Sequence, residues 1–338
     1  MRESSLEEPP AQSRVRLSAP LTLYRGGVLD EVEIAYETWG RLAKNNLLLL
    51  FTGLSPSAHA ASSQADPTPG WWEEMIGPGR AIDTNRWFVV CVNSLGSCFG
   101  STGPASINPA TGERWRLDFP LLAVEDIARG ARATLEALGL PAPTAVIGSS
   151  LGGMSALAFA LQFPRDAPNL LLISTAVHAR PFAIAIRSMQ REAIRRDPDW
   201  KDGNYAPRHE PETGMRLARK IGMLSYRSPD EWRERFGRAR IRPEAPGPAA
   251  DFRIAFEIES YLEAHAERFV GGFDANCYLY LSQAMDHFDA AEHGDGDLAR
   301  AFSRLETKRA LVIGVESDIL FPLAQQQELA SLLENSGA

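Results

Sequence analysis

A chain of 338 residues, 44% of them hydrophobic, has enough apolar material for one large α/β domain with an insertion, or for two domains. Its 35 Lys and Arg against 43 Asp and Glu leave a net charge of −8, which argues against a general nucleic-acid binder. No apolar run approaches the ~18 residues of a membrane span, and the polar residues 1–16 lack the apolar core of a signal peptide, so no membrane or export role is expected.

Residues 1–16 read as a disordered lead. Over 21–39, apolar and polar residues alternate around Gly26 and Gly27, with Val32, Ile34 and Tyr36 on one face. That pattern predicts a hairpin of half-exposed strands. The strand type then changes. Residues 47–51, 87–92, 145–147, 170–173 and 310–315 are short apolar runs, the mark of parallel strands buried on both faces. Between them, Val124, Ile127, Ala131, Leu135 and Leu138 recur at helical spacing, and a second helix is expected from 151 to about 163. From 177 to 292 the buried-strand runs stop. This segment is arginine-rich, with helical periodicity at 184–195, 213–224 and 256–270 and a proline-rich loop at 243–248. It reads as a helical lid inserted into an α/β core built from 17–176 and 293–338, with a mostly parallel central sheet.

The chemistry centres on Gly148-x-Ser150-x-Gly152, which lies between an apolar strand and an alanine-rich helix. This spacing fits a nucleophile elbow, where a sharp turn holds a serine hydroxyl above the sheet. The Leu151 N–H, at the helix N-terminus, would donate to an oxyanion. A second donor is expected from the turn Gly53, Leu54, Ser55, Pro56 after the first buried strand, with the Leu54 N–H as candidate. Asp318 ends the last core strand, where a triad acid belongs; the competing reading is a turn aspartate, and Glu316 is a second candidate. None of the six histidines (His59, His178, His209, His265, His287 and His293) lies beyond Asp318, and each reads as a surface or packing residue. Cys98 reads as a small buried residue rather than a nucleophile. Cys91, Cys98 and Cys277 form no CxxC pair, and so sparse a count suits a reducing cytoplasm. Arg187 and Arg191, four residues apart, share a helix face. They are either a grip for an acidic substrate or a solvated basic face.

Several long motifs together carry a resemblance. They are Gly70-Trp71-Trp72, Asn93-Ser94-Leu95-Gly96-Ser97-Cys98, Ser150-Leu151-Gly152-Gly153-Met154, Gln190-Arg191-Glu192-Ala193-Ile194, Phe273-Asp274-Ala275-Asn276-Cys277-Tyr278 and Ser317-Asp318-Ile319-Leu320-Phe321-Pro322. From about residue 20 onward the chain resembles the homoserine and serine O-acyltransferases of the α/β-hydrolase fold. Gly53-Leu54-Ser55-Pro56 is similar to the serine O-succinyltransferase branch, where homoserine enzymes carry His-Ala-Leu. The resemblance implies Ser150 as the acylated nucleophile, Asp318 as the acid and Arg191 as the binder of the amino-acid carboxylate. It implies that residues 53–56 tune acceptor choice and Arg187 acyl-CoA choice, and it leaves Asp274 and Asp286 without assigned roles. It further implies succinyl-CoA as co-substrate, no bound cofactor or metal, a cytoplasmic location, and a homodimer built through the lid helices. The family's histidine lies in a Gly-His-Asp segment past the acid, and the sequence stops before it. The chain as written is therefore expected to be close to inactive. A homoserine O-acyltransferase, an esterase and a non-catalytic relative are the competing readings.

Overall fold

A computed structural model describes residues 10–206, 209–241 and 254–338. Residues 1–9 of the expected lead, and the loop expected at 243–248, lie outside the described residues. A seven-stranded sheet forms the centre, in the order β1 (Ser13–Arg16), β4 (Glu33–Trp39), β8 (Phe88–Val92), β5 (Leu47–Phe51), β9 (Ala145–Ser149), β10 (Asn169–Ile173), β11 (Arg309–Ile313). The first two pairings, β1 with β4 and β4 with β8, are antiparallel, and the other four are parallel. Two small ribbons lie outside it, β2 (Leu21–Thr22) with β3 (Val28–Leu29) and β6 (Ile76–Gly77) with β7 (Ile82–Asp83).

The apolar runs at 47–51, 87–92, 145–147 and 170–173 become strands of this sheet within two residues of their expected limits. All five residues of β5 are buried. Two departures concern the edges. Residues 13–16, expected to be disordered, instead form β1, because Ser13 to Arg16 pair in register with Tyr36 to Glu33 on the open edge of β4. The run at 310–315, expected to be buried on both faces, is an edge strand among the described residues. Leu311, Ile313 and Val315 are 56%, 41% and 47% exposed. One face of β11 packs on α9 (Leu323–Asn335), and only β10 pairs with it among the described residues. The expected hairpin over 21–39 divides: its turn at Gly26 and Gly27 closes β2 on β3, while β4 joins the main sheet.

Helices α1 (Val124–Ala137) and α2 (Leu151–Gln162) pack together against the sheet. Helix α2 is apolar on every side because it is buried on every side, with Phe159 in edge contact with Phe51 below it. Between β10 and β11 come α3 (Pro181–Arg195), α4 (Glu212–Ser225), α5 (Pro229–Phe236), α6 (Glu257–Phe269), α7 (Ala275–His287) and the short α8 (Leu298–Phe302). Arg216 and Lys220 of α4 pair with Glu263 and Glu267 of α6 and fasten these two helices together.

The loop after β5 is held by His59. Its Nδ1 lies 2.9 Å from Glu37 Oε2 and its Nε2 lies 2.7 Å from the Thr68 carbonyl oxygen. The Thr68 carbonyl can only accept, so Nε2 carries a proton; with Glu37 ionised, Nδ1 carries the second and the ring is an imidazolium. Burial alone would lower the His59 pKa. The hydrogen bonds to Glu37 and Thr68 and the charges of Glu37 and Asp66 outweigh it, and the net shift is upward. A raised folded pKa means that the stabilisation is complete below the ordinary value of about 6.5 and is lost as pH rises through the folded pKa. His59→Gln is therefore expected to remove that component from the pH dependence of the unfolding midpoint. It also costs roughly 2–3 kcal/mol near neutral pH, by leaving the buried Glu37 carboxylate unpaired. A variant whose stability tracks the wild type in parallel between about pH 6 and pH 9 would contradict a charged His59.

Candidate active site

Ser150 sits at the break between β9 and α2 with φ 55° and ψ −122°, a conformation that few side-chain-bearing residues adopt. Its backbone is tied on both sides. The Ser150 N–H donates to the Ile173 carbonyl at 3.0 Å, and its own carbonyl accepts from Thr175 Oγ1 and from the Met154 N–H, each at 3.0 Å. The two flanking glycines are forced by contact. A Cβ on Gly148 would lie 2.0 Å from the Gly152 carbonyl oxygen, and one on Gly152 would lie 2.6 Å from that of Phe51. Strand, turn and helix are thus packed too closely for any side chain but that of the serine.

Ser150 opens onto a cavity of about 520 Å³ whose wall includes Leu54, Ser55, Asp318, Arg219 and Tyr226. The elbow, the loop after β5, the end of β11 and the inserted helices therefore meet at one place. The Leu54 and Leu151 N–H groups donate to no protein acceptor among the described residues. Asp318 Oδ1 accepts from the Leu320 and Phe321 N–H groups at 2.9 Å each. The turn that Asp318 closes presents it to the cavity. No histidine lines this cavity among the described residues. His59 is bound to Glu37, His265 to the Tyr261 carbonyl in α6, and His293 to Glu125 at 3.2 Å.

Arg187 and Arg191 do share a face of α3, and that face clamps Asp286 of α7. Arg187 Nε lies 2.5 Å from Oδ1 and Arg191 Nη2 lies 2.7 Å from Oδ2. The pair is neither solvated nor in the wall of the Ser150 cavity. Arg191 faces a separate cavity of about 470 Å³ beside Leu121, Trp200 and Tyr280. Two guanidiniums line the Ser150 cavity, Arg227, which is paired with Glu231, and Arg219 of α4, which sequence reasoning did not single out. The Arg219 Nε is buried with no hydrogen-bond partner, and its charge lies 4.6 Å from the Phe269 ring centre. Burial pushes the Tyr278 hydroxyl pKa up, with Tyr226 adding to the rise and Arg219, Arg187 and Arg191 opposing it. Three guanidiniums thus surround one buried tyrosine, with Asp286 as the carboxylate bound among them. This corner of the site is positive and suited to anions. Arg219 is hidden in sequence because Arg216 and Lys220, in the same basic run, do ordinary surface pairing.

A family model described as alpha/beta hydrolase fold matches residues 46–337. The chain belongs to this family. The finer resemblance also holds. A serine O-succinyltransferase of Litchfieldella anticariensis is 59% identical over 331 residues, which cover 97% of this chain and 90% of that protein. Those of Frateuria aurantia and Stenotrophomonas maltophilia are 54% and 53% identical, over 88% and 90% of their lengths. Among solved structures, a homoserine O-acetyltransferase from Bacillus anthracis is similar with a TM-score of 0.86 at 29% identity, covering 96% of this chain and 88% of that one. Esterase E22 is similar with a TM-score of 0.84 at 28% identity, covering 96% and 90%.

The Asp286 clamp is 6–8% exposed on Arg187 and Asp286, so removing its carboxylate leaves buried positive charge uncompensated. Asp286→Asn is expected to destabilise the fold by about 3–5 kcal/mol in denaturant titrations. A loss below about 1 kcal/mol would mean that the two arginines behave as a solvated surface pair.

Proposed function

We propose that this protein is a serine O-succinyltransferase that moves a succinyl group from succinyl-CoA to the hydroxyl of L-serine. The observation that carries the proposal is the cavity that holds both the elbow serine and the Arg219 side chain, which has no carboxylate partner among the described residues. The nearly full-length identity to serine O-succinyltransferases supports it. In the first half-reaction Ser150 Oγ attacks the thioester carbonyl, its proton passes to a base, and the oxyanion is held by the Leu54 and Leu151 N–H groups. The C–S bond breaks and CoA leaves as the thiol. In the second half the serine hydroxyl attacks the succinyl-Ser150 ester and gives up its proton in the same way. O-Succinyl-L-serine leaves and Ser150 Oγ is free again. Asp318 would orient an imidazole base, the acid's role in the chain order nucleophile, acid, histidine; its position in the wall of the Ser150 cavity supports this.

Arg219 receives a substrate carboxylate at the buried Nε side of its fork. Arg187 and Arg191, fixed by Asp286, add positive potential behind Tyr226 and Tyr278 and favour an acyl group that carries its own carboxylate. Gly53, Leu54, Ser55 and Pro56 set acceptor choice, since Leu54 and Ser55 stand in the cavity wall beside Ser150. The three free cysteines suit a cytoplasmic setting. No described helix is long and apolar enough to cross a membrane.

The homodimer would form on α3 and α4, which pack together and expose Phe182, Met189, Leu217 and Leu224, each at least half exposed. Light scattering of the wild type is expected to give a dimer, and Leu224→Asp with Met189→Asp a monomer. A wild-type monomer at assay concentration would rule this interface out.

The activity is tested by thiol release. Succinyl-CoA with L-serine should release thiol faster than acetyl-CoA, and faster than the same donor with homoserine. Ser150→Ala should abolish release, together with the succinyl adduct seen by intact mass. Arg219→Lys should lower kcat/KM by about 10- to 100-fold, the loss expected when a charged fork is replaced by a point charge. Equal rates with acetyl-CoA or homoserine would refute the assignment. Thiol release that is independent of any acceptor would instead favour the hydrolase reading that the fold of esterase E22 keeps open.

A further inference from the structure

Two thiols unrelated to the Ser150 cavity meet where the inserted helices rest on the core. Cys98 lies in the loop after β8, and Cys277 lies in the first turn of α7. The Asp274 N–H, at the N-cap of α7, donates to Cys98 Sγ at 3.4 Å, and Asp274 Oδ1 accepts from the Cys277 N–H at 2.9 Å, so the Cys98 sulfur lies against the turn that carries Cys277. Burial and the neighbouring Cys98 both raise the Cys277 thiol pKa. Both cysteines are free. They differ in access. Cys98 lines a cavity of about 230 Å³ with Arg114 and Ser106, whereas Cys277 is fully buried.

We propose that Cys98 and Cys277 are a peroxide-oxidised thiol pair that closes into a disulfide between the loop after β8 and α7. Cys98 is the attacking group. It faces the cavity, and the N–H at the N-cap of α7 points at its sulfur. Its sulfur attacks one oxygen of a hydroperoxide and the O–O bond breaks. The other oxygen leaves as alcohol, or as water from hydrogen peroxide, taking the Cys98 proton. The product is a sulfenic acid. Cys277 then attacks the Cys98 sulfur and the S–O bond breaks. The hydroxyl leaves as water with the Cys277 proton. The two thiols give up two electrons and the peroxide accepts them. Cys277 suits the resolving role because burial keeps its thiol protonated until a sulfenic acid forms beside it. Cys91 is buried in β8, away from the pair, and takes no part. The bond would fix α7, and with it Asp286 and its two arginines, to the core. The pair does not depend on the reaction assigned to Ser150.

The test is oxidation of the intact protein with a small excess of hydrogen peroxide, followed by alkylation and non-reducing peptide mapping. Thiols titrated after denaturation should fall from three to one. The monomer should lose two hydrogens in mass, and one linked peptide pair should join Cys98 to Cys277. Dithiothreitol should reverse all three changes, and the oxidised form should unfold at a higher temperature. In Cys277→Ser, Cys98 should run on to sulfinic acid; in Cys98→Ser, Cys277 should stay reduced. Wild-type protein that over-oxidises at Cys98 with Cys277 still free, cross-links between molecules, or keeps all its thiols would overturn the proposal. The wild-type map decides it even if a variant fails to fold.

Discussion

The site depends on how closely β9 and α2 approach each other at the elbow. The Gly152 carbonyl lies where any side chain on Gly148 would have to be, and the Phe51 carbonyl lies where one on Gly152 would be. That contact holds Ser150 at positive φ and projects its side chain beyond the sheet. The strain is offset by the backbone bonds to Ile173, Thr175 and Met154 and by the fully buried α2 beneath. Loosening the contact would move the nucleophile, the Leu151 N–H and the Leu54 loop relative to one another. Each has to be held to within a fraction of an ångström to share one tetrahedral intermediate.

Around this rigid point the rest of the site is electrostatic. Bare guanidiniums packed together repel. Asp286 resolves the conflict for Arg187 and Arg191 by neutralising part of their charge with nearly ideal ion-pair distances in a buried place. Arg219, which lines the cavity, is left with a buried, unmatched Nε donor. Such a donor is costly in the empty protein and recovers that cost when an anion binds. The aromatic groups Tyr226, Tyr278 and Phe269 hold the charges apart and lower the dielectric between them.

Much of this was legible from residue order. The strands of the sheet appear as short apolar runs because they are buried on both faces. The elbow appears because its geometry excludes every residue but glycine at two positions. Asp318 appears because triad acids end core strands. Other features left no local signal. Helices α7 and α9 show little amphipathic period, α7 because most of its residues are buried. The role of β1 depends on an edge offered by β4, twenty residues away in sequence.

Sequence by itself therefore determined the fold family, the strained turn at Ser150 and the turn of the first buried strand, since each is a short-range consequence of backbone sterics and strand burial. Only the tertiary structure decided which arginine lines the Ser150 cavity and which lines another. The spacing of Arg187 and Arg191 correctly placed them on one face, but what that face touches is set by Asp286, nearly a hundred residues further on. Arg219 is one basic residue in a run of several, and it differs from its neighbours only in having no carboxylate to meet. Charge pairing is a long-range property of packing, and a linear pattern does not contain it.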